Sequence, residues 1–190
     1  MSCAKGSFIH PRHNNLRDLI GNLLGEVCKD VAVEPSLTSV TGEYLPASCV
    51  SGDDARLDVS ARGFWQRGQR AFFDVRVFNP YAPSHVKRTL KAVFASNEQE
   101  KKRNYNRRVI DVEHGSFRPL VFSAHGGCGV EAERFISELS GKLALKHDHE
   151  FSVVTNWLRT KLSFSIVRSA ILSIRGSRSI GKQPMATDTA

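Results

Sequence analysis

The sequence predicts an α/β protein whose mixed central sheet has about four strands and is flanked by helices. Two strand-like runs, 56–64 and 70–78, stand on either side of a turn at Gly68 and predict a hairpin. A continuous apolar run at 117–123 predicts a buried strand. Segments with apolar residues at helical spacing precede and follow these strands, which is the alternation typical of an α/β layout.

The order of the predicted elements is helix, strand, hairpin, helix, strand and two helices. Leu16, Ile20 and Leu23 recur at helical spacing in the first of them, and Pro35 ends the first strand. The predicted bounds are helix 13–29, strand 31–34, a long loop at 36–54, strands 56–64 and 70–78, helix 89–111, strand 117–123, helix 131–145 and a last helix from 151 to 175.

This order divides the chain into four parts. An N-terminal arm at 1–12 precedes an α/β domain at 13–150. A C-terminal amphipathic helix at 151–175 follows, and the polar composition of 176–190 predicts a flexible tail.

The composition is that of a globular protein with a strongly basic surface. Of 190 residues, 41% are hydrophobic and 24% charged, which excludes the collagen-like, disordered and membrane-embedded classes. The net charge of +8 favours a polyanionic partner. Segment 87–108 has eight Lys or Arg against two acids, and segment 151–187 has six and no acid. This clustering predicts a surface that faces nucleic acid, although two solvated helix faces would give the same counts.

Neither the first residues nor the cysteine spacing predicts export. The N-terminal stretch lacks the apolar segment of a secretory signal. The four cysteines form no CxxC pair and are expected to be reduced thiols. Three basic residues interrupt the most apolar segment, 151–174, which argues against a membrane span. We therefore expect an intracellular protein, nuclear or cytoplasmic, that has no membrane contact.

Asp58 and Asp74 are the first candidates for chemistry, because each lies in a strand-like run where aspartate is disfavoured. Folding the hairpin about its turn pairs position 58 with roughly 77, and 74 with roughly 61. The two carboxylates then become near-diagonal neighbours. Carboxylates that close repel each other unless a cation or a proton lies between them. Mg²⁺ suits such a site, since it takes one or two carboxylates, a backbone carbonyl and waters.

A structural role for these carboxylates is the alternative. In that case Asp74 pairs with Arg76 or Arg56 at a sheet edge. His13, at the start of the first helix, either lies near the acidic pair or is a cap or surface residue.

The runs 55–58 (Ala-Arg-Leu-Asp) and 72–76 (Phe-Phe-Asp-Val-Arg) resemble the core signature of the PD-(D/E)XK nuclease superfamily, the restriction-endonuclease-like fold. That signature has an Asp that opens the second strand and an Asp/Glu-x-Lys in the third. Leu57 stands where the family has Pro, and Arg76 stands where it has Lys. The predicted element order matches the αβββαβ core of that fold.

Further positions extend the resemblance over about residues 13–145. Glu26 and Glu34 occupy places where related nucleases often carry an acid. Lys101 and Tyr105, four apart on the predicted helix, resemble the Q-x-x-x-Y element of exonuclease-like branches, with Lys in place of Gln.

The resemblance implies a nuclease that depends on Mg²⁺, with Mn²⁺ as the alternative ion, and that hydrolyses phosphodiester bonds in DNA rather than RNA. Asp58, Asp74 and the carbonyl of Val75 would hold the ion, and Glu26 would be an extra ligand or orienting group. Arg76 would stabilise charge on the phosphate, but a guanidinium stays protonated and cannot act as a base. Either activity survives without a lysine at this position, or the site is degenerate.

The basic helix predicted at 89–111 is expected to bind the backbone phosphates of nucleic acid. The residues assigned to this contact are Lys101, Lys102, Arg103, Tyr105, Arg107 and Arg108. Two alternatives to a nuclease stay open. One is a non-catalytic nucleic-acid-binding module on the same fold, in which Arg76 neutralises the carboxylates. The other is a scaffold or oligomerisation domain whose last helix recruits a partner.

The last helix is predicted to be apolar on two sides. One stripe comprises Val154, Leu158 and Leu162, and a nearly opposite stripe comprises Val153, Trp157, Phe164, Val167 and Ile171. A helix of this kind cannot bury both stripes against a single sheet. It either packs between two layers or meets a second copy of the chain or a neighbouring domain.

Overall fold

The computed structural model describes residues 9–38, 50–51 and 54–176. Within these ranges the chain forms four helices, a four-stranded sheet and a short two-stranded hairpin. The helices are α1 Ile9–Val27, α2 Leu90–Asp111, α3 Val130–His147 and α4 Phe151–Gly176. The strands are β1 Lys29–Val33, β2 Val50–Ser51, β3 Asp54–Ala55, β4 Val59–Arg62, β5 Arg70–Phe78 and β6 Ser116–Ser123.

The central sheet has the order β1-β4-β5-β6. Strands β1, β4 and β5 pair antiparallel, while β5 and β6 pair parallel. Parallel neighbours need a crossover, and α2 supplies it. The predicted α/β class and the mixed sheet of about four strands are therefore confirmed.

Side chains that alternate along β5 pack on opposite faces of the sheet. Phe73 and Val75 belong to the largest apolar cluster, together with residues of α1 and α3. Phe72 points the other way and packs with Tyr105 and Val109 of α2. Helix α2 therefore covers one face of the sheet, while α1 and α3 cover the other. Helix α4 packs on the outside of α1 and α3.

The predicted elements form, but some of their bounds are wrong. Helix α1 begins at Ile9, four residues before the predicted start. The strand predicted at 56–64 forms its ladder only over Val59–Arg62, and it ends there because Gly63 adopts a φ of 85°. Within the predicted loop at 36–54, the described residues include β2 and part of β3.

The hairpin register differs from the prediction. Val59 lies opposite Phe73, and Ala61 lies opposite Ala71. The amide of Gly63 donates to the carbonyl of Gln69, so the turn is longer than expected and is centred before Gly68. Val59 is the last residue of β4 that pairs in this register, and the amide of Asp58 donates to the carbonyl of Phe73, so position 58 lies beside Phe73 rather than opposite 77.

Some predictions concern residues outside the described ranges. These are most of the N-terminal arm, the middle of the 36–54 loop and the tail beyond Gly176. Among the helices that are described, none is long and apolar enough to cross a lipid bilayer.

Candidate active site

Asp58 lies at the point where β4 and β5 stop pairing. Its own amide still donates to the carbonyl of Phe73, at 3.2 Å. The next backbone donor on β5, the amide of Val75, donates instead to the Asp58 carboxylate, with 2.6 Å between N and Oδ2. The side chain of Asp58 thus takes the place of the missing strand partner. This bond holds the carboxylate of Asp58 beside β5, which is the strand that carries Asp74.

His13 of α1 contacts the same carboxylate oxygen. Its Nε2 lies 3.1 Å from Oδ2 of Asp58. Burial favours the neutral imidazole, but the hydrogen bond and the negative charge of Asp58 outweigh it and raise the pKa of His13. The interpretation that His13 lies near the acidic pair is confirmed.

Asp74 is buried and faces α2. Lys101 reaches it from that helix, with Nζ 3.1 Å from Oδ1 and 3.0 Å from Oδ2. Burial disfavours the charged carboxylate, and the charge of Asp58 adds to this effect, so the pKa of Asp74 rises to about 6 despite the attraction of Lys101. Lys101 donates its hydrogen bond to Oδ1, and within the described residues Oδ2 is a buried acceptor without an aligned donor.

The periodicity of α2 directs Lys101 towards the sheet. Thr89 caps the helix by accepting a hydrogen bond from the amide of Ala92. Phe94, Tyr105 and Val109 are buried at helical spacing, and Lys101 lies on the same line. Its ammonium is also 5.6 Å from the centroid of the Tyr105 ring, a cation–π distance. Lys101 was predicted to bind phosphate, although this spacing already places it on the inward face.

Arg76 meets a different partner. Its guanidinium lies 3.0 Å from the carboxylate of Glu100, the residue that precedes Lys101 on α2. The structural alternative that paired Asp74 with Arg76 or Arg56 is wrong, since Lys101 occupies that role. Arg56 lies 3.8 Å from Glu34 instead. The side chains of Asp74 and Arg76 share one face of β5. Two consecutive residues of α2 pair with them, Lys101 with Asp74 and Glu100 with Arg76.

Of the two further acids considered from the sequence, Glu26 lies far from the carboxylate pair, whereas Glu34 donates its amide to the carbonyl of Asp58, at 2.8 Å, but directs its carboxylate elsewhere. Glu26 follows His13 by 13 residues, which is about 20 Å along α1. It lies at the opposite end of that helix and bonds His147, with 2.9 Å between the two side chains. Glu34 forms an ion pair with Arg17. The structure therefore groups Asp58, Asp74 and Val75 but leaves Glu26 elsewhere.

The six residues assigned to phosphate binding have different environments. Tyr105 is in the core, and Arg108 is buried and donates to the carbonyl of Thr38. Lys102 pairs with Glu131 of α3, and Lys101 faces Asp74. Two arginines of α2 remain on the surface, namely Arg103 and Arg107, the latter beside Asp111. Of the six, only these two present their charge outward.

The donors at this site fit a magnesium ion. No group of three or more His, Cys, Asp or Glu side chains in the described ranges is arranged to hold a metal. Mg²⁺ does not require one, because it usually binds one or two carboxylates and keeps several waters. Asp58 and Asp74 supply two carboxylates, and the latter has a buried oxygen without an aligned donor among the described residues. The carbonyl of Val75 points to the same edge of β5 as its amide, towards Asp58.

Comparison with protein families and with curated proteins gives no match for this chain. The chemistry of the site has therefore to be inferred from its own residues.

Proposed function

We propose that this protein hydrolyses phosphodiester bonds in nucleic acid, with DNA as the first candidate substrate, using Mg²⁺ bound at Asp58 and Asp74. The observation that carries the proposal is that, where β4 and β5 part, the amide of Val75 holds the carboxylate of Asp58 near enough to Asp74 to raise the pKa of that residue, while Lys101 pairs with Asp74. The order α1-β1-β4-β5-α2-β6 supports a restriction-endonuclease-like core, because it is the αβββαβ order expected of that fold. The basic charge of +8 supports a polyanionic substrate.

Asp58, Asp74 and the carbonyl of Val75 are the groups that would hold the ion. When bound there, Mg²⁺ would supply the positive charge that polarises the scissile phosphate and acidifies a water molecule. Asp74 has to be ionised for this purpose, and its raised pKa of about 6 leaves it ionised at neutral pH. A proton therefore competes for the site only under acidic conditions.

Lys101 is the residue that we assign to the role of the family's lysine. In that family the lysine follows the second acid by two positions, where this chain has Arg76. Here an ammonium reaches the same acid from α2 at 3.0 Å. Lys101 and the ion would compete for the oxygens of Asp74. Once the ion displaced it, the ammonium of Lys101 would be available to donate to a phosphate oxygen in the transition state.

His13 acts as a positioning residue in this proposal. It holds a proton at Nε2, 3.1 Å from Asp58, and fixes the direction of that carboxylate together with the amide of Val75. Its imidazole also balances part of the negative charge of the two aspartates before the ion binds.

The test is cleavage of single- and double-stranded DNA in Mg²⁺ or Mn²⁺ by the wild type and by Asp74→Asn. Asp30→Asn is the matched control, because Asp30 is an exposed carboxylate on β1 that pairs with Arg62. We expect the wild type and Asp30→Asn to cleave, and Asp74→Asn to bind DNA without cleaving it. Cleavage by Asp74→Asn at the wild-type rate would refute the assignment.

A non-catalytic nucleic-acid-binding module is the second candidate. One observation favours it: each carboxylate already has a cationic or protonatable partner in the chain, Lys101 for Asp74 and His13 for Asp58. Such a site is balanced in charge without a metal. If neither the wild type nor Asp74→Asn cleaves and both bind DNA equally, this candidate replaces the nuclease.

A further inference from the structure

Helix α4 has one face that nothing in the described structure covers. Val154, Leu158 and Leu162 are buried on α1 and α3. The opposite stripe is exposed, from 45% of the surface of Trp157 to 68% of that of Phe164. Of the two arrangements predicted for this helix, packing between two layers is therefore wrong for the described residues. Exposed aromatic and aliphatic side chains in one contiguous line are typical of an interaction site.

The exposed stripe has the spacing of a coiled-coil seam. Its positions are 153, 157, 160, 164, 167 and 171, so that intervals of four and three residues alternate. Trp157, Phe164 and Ile171 occupy one of the two core positions of a heptad, and Val153, Thr160 and Val167 occupy the other. A narrow seam of this period matches another helix better than it matches a sheet or a lipid surface.

The charges beside the seam indicate which charge a partner helix would carry. Lys161 and Arg168 each follow a large seam residue by four positions, so both lie on the same flank. The ammonium of Lys161 lies 4.5 Å from the centroid of the Trp157 ring, at the edge of the seam. The other flank is uncharged, and the helix contains no acidic residue. The residues of that uncharged flank are Asn156, Ser163 and Ala170.

The α4 helix of a second copy of the chain does not complement the basic flank. In an antiparallel pair the basic residues of one helix would face those of the other, and in a parallel pair they would face the uncharged flank. Neither arrangement gives Lys161 or Arg168 an acidic partner. A helix that carries acidic residues beside its apolar seam gives both Lys161 and Arg168 an acidic partner.

A cleft continues the surface from the basic flank towards α1. It has a volume of about 590 Å³ and is bordered by Lys161, Phe164 and Arg168 on α4 and by Leu19 on α1. The cleft gives room for side chains of a docked helix that extend past the seam. The contact surface is therefore wider than one helix stripe.

We propose that the outward face of α4 docks an amphipathic helix of a different protein, with apolar heptad residues on Trp157, Phe164 and Val167 and acidic side chains against Lys161 and Arg168. This proposal is independent of the catalytic one, since no residue of the aspartate site takes part in it.

The test uses two synthetic helical peptides of about four heptads, which carry leucine at the seam positions. One has glutamate on both flanks, and its twin has lysine there. Binding to the full chain is measured by fluorescence anisotropy. We expect the acidic peptide to bind at least tenfold more tightly than the basic twin, and less tightly as salt is raised. The double variant Lys161→Glu/Arg168→Glu should reverse this preference, and Phe164→Ser should weaken both peptides.

The substituted side chains are exposed, so the variants are expected to fold, and circular dichroism checks this. Three results would overturn the proposal. Equal binding of the two peptides would remove the charge argument. A solution mass of twice 21.1 kDa that Phe164→Ser reduces to the monomer would assign the face to a second copy. Tighter binding to phosphatidylserine vesicles than to the acidic peptide would assign it to a membrane surface.

Discussion

The ammonium of Lys101 lies 3.0 Å from the carboxylate of Asp74, although the two residues are 27 positions apart in the chain. The residue at the expected spacing, Arg76, pairs with Glu100 instead. In the nuclease that we propose, a helix therefore supplies the cation that a strand carries in the signature of that superfamily. Because an ammonium can be displaced from a carboxylate by a divalent ion, this arrangement keeps the site compatible with metal binding.

Replacing Asp74 by asparagine is expected to stabilise the protein at neutral pH. Its carboxyl has a pKa of about 6 in the fold against 3.8 unfolded, so ionisation costs folding free energy as pH rises between these values, and the full cost persists above them. Asn has no such cost. At pH 7.5 we expect Asp74→Asn to gain on the order of 1 kcal/mol, or about 2–4 °C in Tm.

Thermal unfolding followed by circular dichroism at several pH values measures this effect. The gain should shrink as pH falls from 6 to 4, and Asp30→Asn should show no comparable gain, because the Asp30 side chain is 58% exposed. A lower Tm for Asp74→Asn than for the wild type at pH 7.5 would mean that the attraction between the Asp74 carboxylate and Lys101 outweighs the cost of burying that carboxylate.

Lys101→Met is expected to move the pH dependence of cleavage. Lys101 lowers the pKa of Asp74, so its removal raises that pKa and shifts the acidic limb of the rate profile to higher pH. At the plateau the rate constant should fall about 10²-fold, as for the loss of one preorganised donor. Lys101→Arg keeps the charge and should keep the limb in place. If the limb does not move in Lys101→Met, Lys101 does not act on Asp74 during the reaction.

The fold was largely predictable because its patterns are local. β5, with alternating Phe73 and Val75 bounded by Gly68 and Asn79, was predicted at its observed bounds, 70–78. The hairpin register was not, because a single closing bond between Gly63 and Gln69 decides it, and several turn lengths satisfy the same composition. This shift of three positions moves position 58 from opposite 77 to beside Phe73, the neighbour of Asp74.

The candidate site was predictable only in part. Two aspartates in strand-like runs are unusual enough to be recognised from the sequence alone. Lys101 was harder to assign, since it belongs to a dense run of basic residues; its helical spacing from Tyr105 and Val109 separates it from Lys102 and Arg103, but only the structure shows Asp74 as its partner. Glu26 was placed by resemblance, and the length of α1 separates it from the pair.

The pKa of His13 is expected to fall in Asp58→Asn. Asp58 raises this pKa against the effect of burial, and asparagine removes the negative charge while it can still accept a hydrogen bond from the amide of Val75. NMR titration of the imidazole resonances measures the midpoint, with the other six histidines as internal controls. An unchanged midpoint would show that the contact at 3.1 Å carries no charge interaction.

Arg103→Gln/Arg107→Gln is expected to weaken binding to DNA at all sequences. These two arginines are the residues of the assigned set on α2 that present their charge outward. Loss of two phosphate contacts should reduce the salt dependence, the slope of log K against log salt, by about two. Arg62→Gln, a change to an exposed arginine of β4, is the control. A slope that does not change would place the DNA contact on another surface.

The most direct test of the proposed metal site is the binding of Mn²⁺ to the wild type, Asp58→Asn and Asp74→Asn, measured by calorimetry and by electron paramagnetic resonance. We predict one bound ion in the wild type and none in either variant, with an affinity that falls up to tenfold per pH unit below about 6, as a proton takes the place of the ion on Asp74. Equal affinity in all three proteins would contradict the claim that these two carboxylates hold the ion.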